Sequence, residues 1–386
     1  MSSIRIFRSI EEVDQHEWDS LARDQVPMCY GWLKTVEQSY SGNLLPHYQI
    51  LYENDRPVAT SVYRLLKSTC AFSDIDHFIF GRLKPLVSFF GYSTLPVLTS
   101  MPIKGYANLF LVDSLAESVR VKKNLQMLLD AIHDHSRRER IATVFTKVMA
   151  EDRHAAQLLR KNGYEKILAA PLAYMDIVWP TFSDYKKDTF RLARNIRRKI
   201  NWEINRNRKD GIEIVVLENL RGYEDRLYQL LKLNATKHNR AGLPFNKNLF
   251  RSLNENMPNQ FRIYAAFKNN QIIGMTLFLT KGNLWHALMV GIDHHLVGKD
   301  LTYFNISYYK PIEDAIAAEC KRIYYGNSLY EPKMRRGCQL QSVDAYYKPQ
   351  GVLSRMLFKP YFFVHRARNR RKRPGIVRRS LNTKET

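Results

Sequence analysis

The sequence predicts an α/β (α+β) chain of two tandem copies of one domain, each a mixed sheet flanked by helices, ending in a basic tail. Three observations predict it. Leu51–Tyr63 (LYENDRPVATSVY) and Ala266–Phe278 (AFKNNQIIGMTLF) align without a gap, each closing a polar turn and then running into an apolar strand. The helical and strand patterns around these two stretches recur in the same order. A chain of 386 residues exceeds what one core organises, and 45% hydrophobic residues with 12% aromatics are enough for two.

Each aligned stretch reads as a hairpin, with Asn54-Asp55 and Asn269-Asn270 at the turns. A helix precedes each, YGWLKTVEQSY in the first copy and LYQLLKLNATKHN in the second. A later helix leads into a strand in both, through VKKNLQMLLDAIHDHSRRERIATVFTKV and YKPIEDAIAAECKRIYYG. The first copy closes with RHAAQLLRKNGYEKI, a helix, an Asn-Gly break and a returning strand. The expected domains are therefore residues 1–180 and 181–365, with a flexible basic tail over 366–386.

Four cysteines, Cys29, Cys70, Cys320 and Cys338, stand far apart with no C-x-x-C and no metal-ligand spacing, as expected for reduced thiols. The N-terminus is charged from Arg5 and lacks the apolar core of a signal peptide. The longest apolar stretch, Pro85 to Val97, is broken by Gly and Pro and is too short to span a bilayer. A cytoplasmic protein without a metal or bound cofactor is the expectation.

The net charge of +23 points to a polyanion, nucleic acid or an anionic membrane face. Two segments concentrate it. The tail RARNRRKRPGIVRR, Arg366 to Arg379, carries eight basic residues and no acid. The stretch RLARNIRRKINWEINRNR, Arg191 to Arg208, sets its arginines and lysines against one glutamate. Thr181 and Asp184 give this second segment a helix start, and Leu192, Ile196, Ile200 and Ile204 recur every fourth residue as an apolar face. Lys187, Arg191, Arg194 and Arg198 fall on roughly the opposite face, with Arg197 beside them. Asp210-Gly211 closes the helix and IEIVVLEN reads as a strand. The ridge is read either as a polyanion-binding surface or as a solvated helix face.

Three stretches resemble the FemAB-like aminoacyltransferases and the related BioF2-like group, whose fold is the GNAT acyltransferase fold in tandem. WPTFSDYKKDTFRLARNIRRKINWE is similar to that group's opening of the second domain, and LTYFNISYYKPIEDAIAAECKRIYYG to its core helix and following strand. GNSLYEPKMRRG is similar to its glycine turn followed by an aromatic-x-Lys element, here Tyr330, Glu331 and Lys333. No long helical-hairpin arm is present in the pattern.

The resemblance implies aminolysis of an ester or thioester, which needs a positioned amine, a route for its proton and donors facing the oxyanion, but no metal. It implies for Lys333 a hold on the tRNA terminal phosphate or on the oxyanion, against the plain alternative of a surface lysine. Tyr330 and Glu331 would position or deprotonate the amine, unless Glu331 only pairs with Arg335 or Arg336. Asn305, with Tyr308 and Tyr309 on the core helix, is expected at the substrate, one tyrosine packing and the other reaching the cleft. Arg336 is a further substrate-binding candidate. His286 is another, with a core histidine as its alternative, and Glu313 reads as structural. The expected tRNA-binding set is Lys187, Arg191, Arg194, Arg197 and Arg198.

Acetyl-CoA enzymes of this fold hold pyrophosphate on a glycine-rich loop before the core helix. Here that loop is His295-Leu-Val-Gly298-Lys-Asp300, with one glycine and an aspartate where a second small residue belongs. With the basic ridge, it favours the acceptor arm of aminoacyl-tRNA as donor partner and a small-molecule or peptide amine as acceptor. An acyl-CoA-dependent N-acyltransferase is the second reading. A non-catalytic RNA- or membrane-binding protein, with the tail on an anionic membrane, is the third.

Overall fold

Both predicted hairpins form, and they share one register. In the computed structural model, which describes residues 2–68, 74–101, 104–113, 117–192, 196–238, 242–298, 301–351, 358 and 360–362, β2 (Leu45–Glu53) pairs antiparallel with β3 (Arg56–Leu66). β10 (Phe261–Lys268) pairs in the same way with β11 (Gln271–Leu279). The four turn residues, Asn54, Asp55, Asn269 and Asn270, have φ of 49°, 60°, 49° and 61°. Two consecutive left-handed residues make the tight hairpin turn whose twist matches the strands, and Asn and Asp tolerate that conformation best. A register shift follows at Leu51/Tyr52 in the first hairpin and at Ala266/Phe267 in the second, the same place in the aligned repeat.

The remaining strands are β1 (Ser2–Phe7), β4 (Val97–Ser100), β5 (Phe110–Val112), β6 (Ala142–Met149), β7 (Glu165–Leu168), β8 (Leu172–Asp176), β9 (Glu213–Leu217), β12 (Leu284–Ile292), β13 (Arg322–Gly326), β14 (Gln339–Gln341) and β15 (Val343–Lys348). One sheet runs β1-β2-β3-β4-β6-β15-β7, with β5 also on β3, and the other runs β9-β10-β11-β12-β13-β8-β14. Position by position the orders correspond. Among the described residues each sheet has a single parallel neighbour pair, β4 with β6 and β12 with β13.

The chain falls into two compact units. Their limits differ from the expected boundary at 180. The first unit takes the described residues of Met1–Leu33, Gly42–Ala170 and Ser342–Pro374, and the second those of Lys34–Ser41 and Pro171–Gln341. The physical reason is an exchange of strands. β8, which falls inside the expected first domain, pairs with β13 and β14 of the second sheet. The corresponding place in the first sheet, between β6 and β7, is filled by β15 from the far end of the chain. The expected residues 342–365 therefore belong, where described, to the first unit.

Leu125, Leu128, Leu129 and Ile132 of the helix Ser118–Glu139 and Leu158 and Leu159 of the helix Arg153–Lys161 pack on Phe145 and Val148 of β6 in the first core. In the second core, Ile200 and Ile204 of the predicted apolar face join Tyr264, Phe278, Trp285, Ile306, Tyr308, Ile312 and Ile323. The expected basic helix is described as two, Phe182–Leu192 and Ile196–Lys209. Side chains of residues 189–192 and 196–198 and all of 193–195 lie outside the described residues, as do Cys70, Lys299, Asp300 and the tail from Arg366. No helix of the described residues is long and apolar enough to cross a membrane.

One glycine sets how closely a helix covers the second sheet. A Cβ on Gly291 of β12 would lie 2.8 Å from the carbonyl carbon and the Cβ of Leu230 and 2.9 Å from the nitrogen of Leu231, backbone of the helix Glu224–Lys237. Asn234 of that helix donates to the Val290 carbonyl at 3.0 Å. Gly291→Ala should therefore push the helix off the sheet and destabilise the protein by about 1–3 kcal/mol. Gly298→Ala, where nothing lies within 4 Å, should leave the thermal midpoint unchanged. Equal midpoints for the two variants would mean that the close crossing is not needed.

Candidate active site in the second unit

The site begins where β12 and β13 part. Their parallel pairing covers Leu284, Trp285 and His286 against Arg322, Ile323 and Tyr324, and ends there. β12 runs on to Ile292 and β13 to Gly326. On its other edge β13 shifts register against β8 between Tyr324 and Gly326, so Tyr325 is the residue left over, and its carbonyl is free to face a side chain.

Lys333 is that side chain. It lies in the short helix Tyr330–Met334, which starts after Leu329 in the left-handed region at φ 51°. Its Nζ donates to the Tyr325 carbonyl at 2.6 Å and to the Gly326 carbonyl at 3.4 Å, and the residue is only 4% exposed. Burial pulls its pKa down to about 8. An ammonium has three protons to donate, and two of Lys333's are directed at these carbonyls. A buried cation with a depressed pKa at the end of a parallel strand is a functional-site candidate on physical grounds.

Behind it lies an ion pair that the sequence had concealed. Glu203, the one acid of the basic run, is fully buried, and Arg336 donates from Nη2 to its two carboxylate oxygens at 2.9 and 3.2 Å. The Tyr309 hydroxyl donates to the same carboxylate and accepts from Arg336 Nε at 3.1 Å. Asn305 Nδ2 donates to the Glu203 carbonyl at 3.3 Å and to the Leu301 carbonyl at 3.0 Å. The guanidinium carbon sits 3.4 Å from the centre of the Phe304 ring, and Arg336 also donates to the Pro332 carbonyl at 3.1 Å. The Arg336 carbonyl accepts from the Tyr185 hydroxyl at 3.0 Å. Burial works against the Arg336 charge, but Tyr309 and Glu203 outweigh it and raise the pKa further. Burial and the Glu203 charge hold the Tyr309 phenol protonated, although Arg336 pulls the other way.

The core helix is not regular. Asn305–Tyr309 is a π-turn between Thr302–Phe304 and Lys310–Ala317. Such turns are rare and concentrate at functional sites. Asn305 and Tyr309 thus meet one residue, Glu203. Tyr308 and Tyr309 are both buried, correcting the expectation that one of them reaches an open cleft. Tyr308 instead stacks on Tyr325, ring centres 4.9 Å apart and 16° from parallel. The Tyr325 hydroxyl has no hydrogen-bond partner among the described residues, and a buried phenol of that kind needs a water or a ligand atom to satisfy it.

The other expected residues divide. Tyr330 is held by its hydroxyl, which bonds the carbonyls of Pro171 at 2.8 Å and Asn327 at 2.9 Å. Glu331 is not in the cluster. It is exposed and pairs with Arg335 one turn on, leaving Arg336 to Glu203. His286 is buried and stacks on Tyr324 with centres 4.8 Å apart. Lys187 is exposed and pairs with Asp184 at 3.0 Å within its own turn. The side chains of Arg191, Arg194, Arg197 and Arg198 lie outside the described residues. Glu313 pairs with Lys310 at 3.0 Å.

Glu203 could have been found. It stands three residues after Ile200 and one before Ile204, so it falls on the apolar face of its own helix. A charge there must be paired.

A model of the FemAB-like family, described as peptidoglycan biosynthesis/recognition, matches residues 9–357. No curated protein matches the chain. Among solved structures, FemX superposes with a TM-score of 0.58 at 11% identity, over 88% of this chain and 96% of that one. The C-terminal domain of a putative lysylphosphatidylglycerol synthetase from Agrobacterium fabrum gives 0.58 at 9% identity, over 90% and 95%. A tandem GNAT protein from the clavulanic acid biosynthesis pathway gives 0.51 at 12% identity, over 91% and 99%. At these identities the likeness is one of fold, and the fold is the tandem GNAT arrangement that the resemblance implies, in keeping with the two copies that the hairpin repeat predicts.

Proposed function

Because the chain belongs to the FemAB-like family, we propose that it moves an aminoacyl group from aminoacyl-tRNA to the amine of a small-molecule or peptide acceptor, forming an amide or peptide bond. The family's description makes the peptide amine of a cell-wall precursor the first acceptor to try. The observation that carries the reading is the Lys333 ammonium, set by two strand-end carbonyls where β12 and β13 separate. Its third proton serves either the oxyanion of the tetrahedral intermediate or the 3′-terminal phosphate that aligns the ester. A fixed cation helps because it meets charge that grows in the transition state without having to reorganise.

The Glu203–Arg336–Tyr309 network is the frame rather than the chemistry in this reading. Arg336 lies three residues after Lys333, so the ion pair fixes the short helix that presents the ammonium. Glu331 and His286 have no role, since one is on the surface and the other stacks in the sheet. The attacking amine loses its proton to water or to a substrate phosphate.

The donor is tested through the basic ridge. Replacing Arg191, Arg194 and Arg198 together by Glu should abolish binding of a charged tRNA pool in a filter assay. Wild-type affinity should fall with salt at up to ~0.9 log units per phosphate contact for each log unit of salt. Unchanged tRNA binding in the triple variant would reduce the ridge to a solvated face. Acetyl-CoA binding without tRNA binding would select the acyl-CoA-dependent alternative.

A further inference from the structure

A second surface of the molecule is built for a partner of different chemistry. In the first unit, the helices Ile75–Phe80 and Lys84–Phe89 and the turn between them project large apolar side chains outward. Phe89 is 83% and Phe90 75% exposed, their rings touching edge to face at 5.6 Å, and Leu83 and Leu86 are exposed beside them. Scattered apolar residues on a surface are ordinary, but four large ones within eight positions form a patch, and patches mark interaction sites.

The patch is rigidly held from beneath. Phe80, Val87, Tyr92 and Leu95 pack into a core with Val97, Val144 and Tyr347. The Tyr92 and Tyr347 hydroxyls are 2.6 Å apart. Both acids of the segment are already engaged. Asp74 pairs with Lys84, and Asp76 accepts from the Ser93 hydroxyl and the Thr94 amide at 2.8 Å. What the element shows to its surroundings is therefore apolar and, through Arg82, cationic.

Aromatic residues that precede the basic run in the sequence pack against the same element. Phe358 packs on Phe80 and Tyr92 at 5.1 and 4.7 Å, Tyr361 donates to the Ile79 carbonyl at 2.8 Å, and Phe362 is buried against Tyr347. Arg366, the first residue of the eight-cation tail, follows Phe362 by four positions. The apolar wedge and the aromatic residues just before a dense run of positive charge thus share one core.

We infer that this element is an interfacial membrane anchor, with the Leu83–Phe90 wedge inserted among the acyl chains of an anionic bilayer and the chain's excess of positive charge supplying the attraction to the headgroups. The combination is the one such anchoring requires, since apolar insertion and polybasic attraction are each weak alone. Each cation near an anionic surface adds about fivefold in affinity. The charge also selects this occupant over a second copy of the chain, because two bodies each carrying +23 repel. The aliphatic Leu83 and Leu86 favour acyl chains over stacked bases. The inference stands independently of the aminoacyl reading.

Full-length protein should co-sediment with phosphatidylcholine vesicles containing phosphatidylglycerol and far less with phosphatidylcholine alone. The variant L86S/F89S/F90S, altered only at exposed positions, should bind the anionic vesicles about tenfold or more weakly with its melting midpoint unchanged. A chain ending at His365 should also bind more weakly and lose most of its salt dependence. A tryptophan at position 89 (F89W) should shift its emission to the blue on vesicle addition, which reports insertion even if the triple variant folds poorly. Equal vesicle binding by wild type and the triple variant, with no shift in F89W, would overturn the inference. So would a wild-type dimer that the triple variant dissolves, or a loss confined to single-stranded RNA binding.

Discussion

Glu203→Ala should destabilise the second unit by about 3–5 kcal/mol. The size follows from what remains. Arg336 is 5% exposed at its side chain, and without Glu203 its charge would keep, among the described residues, the Tyr309 hydroxyl, the Pro332 carbonyl and the rings of Phe304, Tyr308 and Tyr309, none of them an anion. Lys199, 3.9 Å from the carboxylate and mostly exposed, adds little. Arg336→Ala should cost about as much by stranding the carboxylate. Removing both charges at once, as Glu203→Leu with Arg336→Met, should recover much of the loss, because no unpaired ion is then buried. Tyr309→Phe, which leaves the ion pair and removes one hydrogen bond, should cost about 1–2 kcal/mol. Urea unfolding of the five proteins reads all of these. A Glu203→Ala variant within about 1 kcal/mol of wild type would mean that water reaches the pair and that it does not tie the short helix to the basic one.

The features legible in the sequence are those written in local chemistry. The Asn54-Asp55 and Asn269-Asn270 turns need left-handed residues, and the residue types announced them. Ile200 and Ile204 announced a buried helix face by spacing alone. The exchange of β8 and β15 was hidden because alternation tells how a strand is buried but not which sheet it joins. YYKPIE and NISYY give no local sign of a π-turn, since its cause is tertiary. The partnership of Arg336 with Glu203, 133 residues earlier in the chain, was hidden because charge counts average a lone acid into a basic run. Glu331, only five positions from Arg336, reads in the sequence as a partner of Arg335 or Arg336, and the structure leaves it on the surface with Arg335.

Lys333→Ala is the second large expectation. Loss of one fixed donor to a developing oxyanion typically lowers the rate ~10²–10³-fold, roughly 2.7–4 kcal/mol of transition-state stabilisation. The fold should survive, since Lys333 makes two carbonyl contacts in a helix that Arg336 and Tyr330 still anchor. Glu331→Gln and His286→Ala should stay within a few-fold of wild type, and a dead Glu331→Gln would reassign the site to a side-chain base. The pH profile carries a further consequence. With the Lys333 pKa pulled down to about 8 by burial, its proton is lost as pH rises through that value. If the ammonium is the working form, turnover should decline above about pH 8, well before an ordinary lysine would titrate.

The most direct measurement follows the bond that is made. Wild-type and Lys333→Ala proteins are each given a pool of tRNA charged with labelled amino acids together with amine acceptors, beginning with cell-wall peptide precursors. Label resistant to mild alkali is then followed over time, because the tRNA ester is cleaved by alkali and a new amide is not. The account predicts base-stable label in the acceptor fraction with wild type, and its appearance slowed ~10²–10³-fold by Lys333→Ala. Base-stable label from acetyl-CoA but not from charged tRNA would contradict it, and so would equal rates for the two proteins.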